Sequence, residues 1–332
     1  MMENFIVLWV KQMSKDIFSI VDSDDEQGLR ALLRIDGEII RKRNKKFDTP
    51  LHHAIKYNKV NCFPALVKRS NQKDIGEDGV MPIFLTVIYD NLNFFNALVD
   101  SVVVDIVDKF GSRMEHYAAK NGNIEILKII ANRTQEPNKF NIPNIYGETP
   151  LSIAVADGRK DMAVWLIENG ANVRYIRPDG KNMVHLAHNN RETLGYMIDV
   201  CGVDPSKKDV WGCTPMFYSC KSCNPSCINF LVSRGVNINE ICGFGHSPIH
   251  VACIYGGKNL VSFLMNIDFN ARNGEGNTAA HLAVLFDKVE VLRYLIRVRA
   301  SMVIKNNDGK NPYELSSYYY RYQCKEVLQT SF

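Results

Sequence analysis

One eight-residue pattern recurs along the chain at nearly constant spacing, and it limits the fold more than any other feature. It is fullest at Gly147-Glu148-Thr149-Pro150-Leu151-Ser152-Ile153-Ala154. Imperfect copies read Asp48-Thr49-Pro50-Leu51-His52-His53-Ala54, Gly180-Lys181-Asn182-Met183-Val184-His185-Leu186-Ala187, Gly212-Cys213-Thr214-Pro215-Met216, Gly245-His246-Ser247-Pro248-Ile249-His250-Val251-Ala252 and Gly276-Asn277-Thr278-Ala279-Ala280-His281-Leu282-Ala283. With the Thr position as marker, the copies fall at 49, 81, 113, 149, 182, 214, 247, 278 and 311, in steps of 32, 32, 36, 33, 32, 33, 31 and 33 residues. A chain that repeats at such a period stacks like units on one another instead of closing a single core.

The residue types say what each unit is. Thr, Ser or Asn holds the marker at 49, 149, 182, 214, 247, 278 and 311, and these side chains accept hydrogen bonds from the free N–H groups of a helix start. Pro follows at 50, 82, 150, 215, 248 and 312, where its missing N–H costs nothing. Gly stands two residues before the marker in the better copies, as a tight turn requires. Each copy therefore reads as a turn followed by a helix. A second helix follows with apolar residues at helical spacing, as at Met162, Trp165, Leu166 and Ile167. The turn between the two helices needs a residue tolerant of positive φ, and Asn58, Asp90, Gly122, Gly158, Gly256 and Asp287 suit it; Cys223 is the exception.

A period near 33 carrying T-P-L-H-x-A resembles the ankyrin repeat, and the resemblance covers residues 15–332. It implies an all-α, ankyrin-repeat solenoid of stacked helix-turn-helix units with β-turn fingers. The expected divisions are an N-terminal segment, 1–14, an N-terminal capping repeat, 15–43, ankyrin repeats over 44–305 and a C-terminal capping repeat, 306–332. The apolar run Phe5–Val10 is expected to form a short helix against the first repeat. Ile17, Phe18, Ile20 and Val21 predict one helix of the capping repeat, and Leu29, Leu32 and Leu33 the next. The copies at Met81 and Arg113 are the most degenerate. The long step comes from an insertion, Thr134–Pro143, whose Pro and Asn content predicts an exposed loop.

Composition narrows the function. A net charge of +4 on 332 residues argues against a dedicated nucleic-acid binder. Nine Cys without disulfide-like spacing read as free thiols in a reducing compartment. No apolar run is long enough to span a bilayer. The expected location is the cytoplasm, or cytoplasm and nucleus. Arg41-Lys42-Arg43-Asn44-Lys45-Lys46 reads either as a nuclear-import signal or as a solvated finger tip in a neighbourhood where acids balance the bases.

Residues with chemistry are present but dispersed. His52, His116, His185, His250 and His281 share one slot of the repeat, where the resemblance implies a structural role tying the helix start to neighbouring turns. Cys220, Cys223 and Cys227, with Cys213 or Cys253, have spacing that zinc could use. The alternative is that Cys220 and Cys227 pack as small apolar residues while Cys223, on a turn, is the reactive thiol. The nucleotide-binding, zinc-protease and serine-hydrolase signatures are absent. The expectation is a protein with no catalytic residue, no cofactor and no metal.

That leaves surface. The slot before the turn Gly carries Lys46, Asp78, Phe110, Tyr146, Asp179, Trp211, Phe244, Glu275 and Asp308. The end of the first helix carries Tyr57, Tyr89, Tyr255, Phe286 and Tyr319. Exposed aromatic rows rimmed by charge are the composition of protein-binding hot spots. Phe110, Tyr146, Trp211 and Phe244, with the helix-end row, are the candidate contacts. The function read from them is a monomeric, non-enzymatic scaffold or adaptor for protein partners, with no small-molecule substrate. The alternatives are a regulatory subunit or inhibitor of an enzyme or transcription factor, and a zinc- or redox-responsive module at Cys220–Cys227.

Overall fold

The structure, a computed structural model, describes residues 16–102, 104–264 and 267–330, so the segment 1–14 and its Phe5–Val10 run lie outside the described residues. The described residues form helices, turns and loops, with no strand. The helices come in pairs. Ile17–Asp22 and Glu26–Ile35 make the first, with Ile17, Phe18, Ile20, Val21, Leu29, Leu32 and Leu33 all buried. Later pairs follow the repeat period, among them Pro50–Lys56 with Phe63–Val67, Met114–Asn121 with Ile124–Arg133, Pro215–Lys221 with Pro225–Ser233 and Ala279–Leu285 with Val289–Arg297.

The chain forms two compact units. One reaches to Ala154 and takes in Asp161–Ala171; the other takes Val155–Lys160 and the chain from Asn172. Within each, one slot explains how helices approach closely. Ala54, Thr86, Ala118 and Ala154 in the first unit, and Ala187, Ser219, Ala252, Ala283 and Ser316 in the second, are small and fully buried five residues after the marker. Larger side chains such as Leu51, Phe84, Phe95, Met216 and Leu292 fill the space between helices.

The marker residues cap as their chemistry requires, though not uniformly. Thr149 Oγ1 accepts from Ser152 N–H at 3.2 Å, Asn182 Oδ1 from His185 N–H at 3.1 Å and Asn311 Oδ1 from Glu314 N–H at 2.9 Å. At Ser247 and Thr278 the hydroxyl instead sits 2.8 and 2.9 Å from the ring nitrogen of the following His. Thr214 makes no capping bond, and neither does Met81.

Two expectations need correction. Gly256 does not take the positive-φ turn: its φ is −96°, and Gly257 has +66°. The helix before it widens into a π turn over Ala252–Gly256, which uses one more residue and moves the turn along by one. The insertion 134–143 is not wholly exposed either. Phe140 is buried edge-on against Trp165, with ring centroids 5.6 Å apart. Asn58, Asp90, Gly122, Gly158, Asp287 and the exceptional Cys223 all have positive φ, as expected. Phe47, at the turn-glycine slot of its copy, has φ +64° and an exposed ring.

Candidate functional site

The fingers are built by a residue type the pattern search passed over. Five residues before the marker stand Asn44, Asp108, Asn144, Asp209, Asn273 and Asn306. Each side-chain oxygen accepts two backbone N–H bonds, from residues two and four further on. Asp209 Oδ1 takes Trp211 and Cys213 at 2.9 Å, and Asp108 Oδ1 takes Phe110 and Ser112 at 2.8 Å. Such Asx turns fix the finger backbone. Neighbouring fingers are then joined by backbone bonds: Ile145 N–H to Phe110 O at 3.0 Å in the first unit, and Gly243 N–H to Trp211 O at 2.7 Å in the second. The signal was an Asn or Asp recurring at one slot.

The histidines are structural. In His52, His116, His185, His250 and His281, Nδ1 accepts the marker residue's N–H at 3.1–3.3 Å. Nε2 donates to a carbonyl of the next finger: Val80, Glu148, Cys213, Asn277 and Lys310. Both ring nitrogens are used, so no lone pair faces a substrate. Burial lowers the pKa of every one of them, His250 to about 4. Cys220 and Cys227 are fully buried and Cys223 is exposed. No three His, Cys, Asp or Glu side chains among the described residues converge as a metal site.

The basic segment is tied down. Arg41 pairs with Glu38, Lys42 with Asp16 and Lys46 with Glu77. Arg43 bonds the carbonyls of Phe47 and Ile75. Four of the five basic side chains are thus engaged, Arg41 from the short helix Gly37–Arg41 that precedes the finger.

The candidate contact residues divide into groups. In the first unit, Phe110 is half-buried beside the exposed Tyr146, with ring centroids 6.0 Å apart. Tyr57 and Tyr89 are exposed and share a small depression of about 240 Å³ with Lys56 and Glu77. In the second unit, the two rows meet. Trp211 and Phe244 from the fingers and Tyr255 from the helix end line one groove of about 630 Å³. Trp211 is 43% exposed and Phe244 62%. Phe286 and Tyr319 are also exposed but lie outside this groove.

The groove contains residues the sequence reading did not select. Phe217 occupies the slot that holds His in most neighbouring repeats, which was the available signal. Ile254 and Tyr255 belong to the π turn Ala252–Gly256, a conformation found disproportionately at functional sites. Lys181 Nζ stands 5.2 Å from the Trp211 ring centroid and 4.8 Å from that of Tyr218, and pairs with Asp179 Oδ2 at 3.0 Å. Burial alone would push the Asp179 carboxyl up; the bonds from Lys181 outweigh it and hold the group below its ordinary range. Burial also keeps His246, on the groove wall, below its ordinary pKa. The arrangement presents rings and a few fixed charges, with no nucleophile–base pair.

Comparison with known proteins agrees with this architecture. The family profile described as ankyrin repeats (3 copies) matches residues 85–177, 115–209 and 182–273, and that of the single ankyrin repeat matches 275–307. Relatives include human SH3 and multiple ankyrin repeat domains protein 2, 26% identical over 62% of this chain and 11% of that protein. The mouse B-cell lymphoma 3 protein homolog is 25% identical over 64% of the chain and 50% of its own length. Human transient receptor potential cation channel subfamily A member 1 is 24% identical over 65% of the chain and 23% of its own. The chain thus spans at most half the length of these relatives. Among the described residues, no helix is long and apolar enough to cross a membrane. With the matched profiles covering most of the sequence, the chain belongs to the ankyrin-repeat family.

Proposed function

We propose that this chain is a non-enzymatic protein-interaction module of the cytoplasm, and that its main contact surface is the groove of the second unit. The observation that carries this reading is the meeting of Trp211, Phe244 and Tyr255 around one opening. Large rings on a finger tip leave apolar area in water without filling a core, and a partner that covers them gains roughly 1–3 kcal/mol per side chain. Phe110 with Tyr146, and Tyr57 with Tyr89, form subsidiary contacts on the first unit. The terminal pairs, 15–43 and 306–332, act as caps. Ankyrin repeats serve generally as protein-binding units, which supports this reading.

The test is quantitative affinity purification of the intact chain and of the Trp211→Ala/Phe244→Ala variant. A specific partner should bind the variant at least tenfold more weakly, with helicity unchanged. A Tyr57→Ala/Tyr89→Ala control should lose far less. Partners retained by the groove variant and lost by the control would move the main surface to the first unit.

A further inference from the structure

The groove carries one cation without a counter-charge. Lys181 is held by Asp179. Lys221 is different: it closes the helix Pro215–Lys221, is exposed, and holds its Nζ 5.4 Å from the Tyr255 ring centroid. Among the described residues no carboxylate lies within ion-pair reach of it. A ring face stabilises a cation but does not neutralise it. The acid of the groove, Glu275, lies on the finger side, where it accepts from Asn277 Nδ2 at 2.8 Å. The groove therefore has a positive rim at the helix end, a negative rim at the fingers, and an apolar wall of Trp211, Phe217 and Phe244 between them. Its volume of about 630 Å³ lies within the roughly 300–1,000 Å³ of sites that bury most of a bound group.

We propose that this groove takes a short, extended acidic–apolar segment of a partner protein. A large apolar side chain fills the space between Trp211, Phe217 and Phe244, and an adjacent Asp or Glu pairs with Lys221. Glu275 fixes the direction of the segment by rejecting a second acid at the finger end. The proposal rests on the groove being the contact surface and adds the chemistry of its occupant. A nucleic-acid strand offers anions too, but a run of phosphates calls for a row of cations, and of the two lysines lining the groove Lys181 is already paired with Asp179. A basic segment would set like charges against Lys221 in a confined site.

The experiment selects random dodecapeptides displayed on phage against the immobilised full chain and, in parallel, against its Trp211→Ala variant. Peptides that depend on Trp211 should be enriched in Asp or Glu next to Leu, Phe, Trp or Met. A synthetic copy of the best one, measured by fluorescence anisotropy, should lose about threefold in affinity with Lys221→Ala and about tenfold with Lys221→Glu, keep it with Lys221→Arg, and weaken with added salt. Lys221 is solvent-exposed, so these variants keep their circular dichroism. Trp211-dependent peptides without acidic enrichment, or indifferent to Lys221→Glu, overturn the acidic occupant and leave the groove standing. Peptides indifferent to Trp211, or no enrichment at all, overturn both.

Discussion

His250 Nε2 lies 3.1 Å from the carbonyl oxygen of Asn277, and the bond crosses from one repeat to the next. Nδ1 of the same ring accepts the N–H of Ser247 at 3.1 Å, so the ring is neutral with its proton on Nε2. A second proton would set a donor against a donor. Burial lowers the folded pKa to about 4, against 6.5 for the free side chain.

The sign of the pH dependence follows from that depression. The stability this neutral ring contributes is complete above about pH 6.5 and is lost as pH falls towards about 4. The single shift corresponds to about 3 kcal/mol, and His52, His116, His185 and His281 shift in the same direction. Urea unfolding followed by circular dichroism should give a midpoint that falls steadily from pH 7 to pH 4.5. His250→Ala should be less stable at pH 7 and show a flatter profile. A wild-type midpoint constant over this range would sink the idea.

Glu115 works in the opposite sense. It stands in the slot that holds Leu51, Ile83, Leu151 and Val184 in other copies, is fully buried, and neither carboxylate oxygen has a hydrogen-bond partner. Arg113 Nε, at 3.6 Å, forms a buried ion pair with it but is too far for a hydrogen bond, and its attraction does not outweigh burial. Burial raises the folded pKa, so stability is complete below the unfolded value near 4.5 and is lost as pH rises through the folded one. Glu115→Leu should stabilise the first unit by about 1–3 kcal/mol at pH 7 and by much less at pH 4.5. Hydrogen exchange of the helix Met114–Asn121, compared at the two pH values, reads this directly.

Met81 leaves the helix Pro82–Ile88 without a side-chain cap. Met81→Thr should raise stability by about 0.5–1 kcal/mol, the cap gained less the partial burial of the Met side chain lost. Before that repair, amides of 77–118 should exchange faster than those of the well-capped repeat at Thr149. Equal protection would show that packing, not capping, sets local stability here.

What the chain disclosed in advance depended on how local the cause was. Caps, prolines and turn glycines act over four or five residues, so the repeat and its helix pairs were readable. The histidine ladder was readable because one slot recurs. The Asx turns at Asn44 to Asn306 are equally local and could have been read by aligning the copies five residues before the marker. The π turn at Ala252–Gly256 leaves no such mark, because one extra residue in a helical turn changes no residue type, and so the positive φ was assigned to Gly256. The groove was readable only as members of two separate aromatic rows. Trp211, Phe244 and Tyr255 lie in separate fingers and a helix end, and only the stacking of repeats decides which members of two rows meet. Lys181 and Lys221 carry no mark in the sequence of the ring contacts they make.

The cysteines allow a sharper test, because one of nine stands apart. Cys223 is exposed on the turn between two helices, with φ +54°. Seven others are buried and Cys201 is half-buried. Burial pushes Cys62, Cys213 and Cys324 up to about 12 and Cys227 to about 11, and Cys220 and Cys253 higher still. Those thiols hold little thiolate at pH 8, and the thiolate is the form that reacts. Brief treatment with iodoacetamide at pH 8 should therefore place one carbamidomethyl group on Cys223, located by peptide mass mapping, with the rest modified only on unfolding. Cys223→Ser should remove the fast phase. The same position carries backbone strain, since a left-handed turn suits Asn or Gly better than Cys. Cys223→Asn, the type found at Asn58, should raise stability by about 0.5–1 kcal/mol. Fast labelling at Cys220 or Cys227 instead would mean that the helix pair opens readily, and that these two thiols are not core residues.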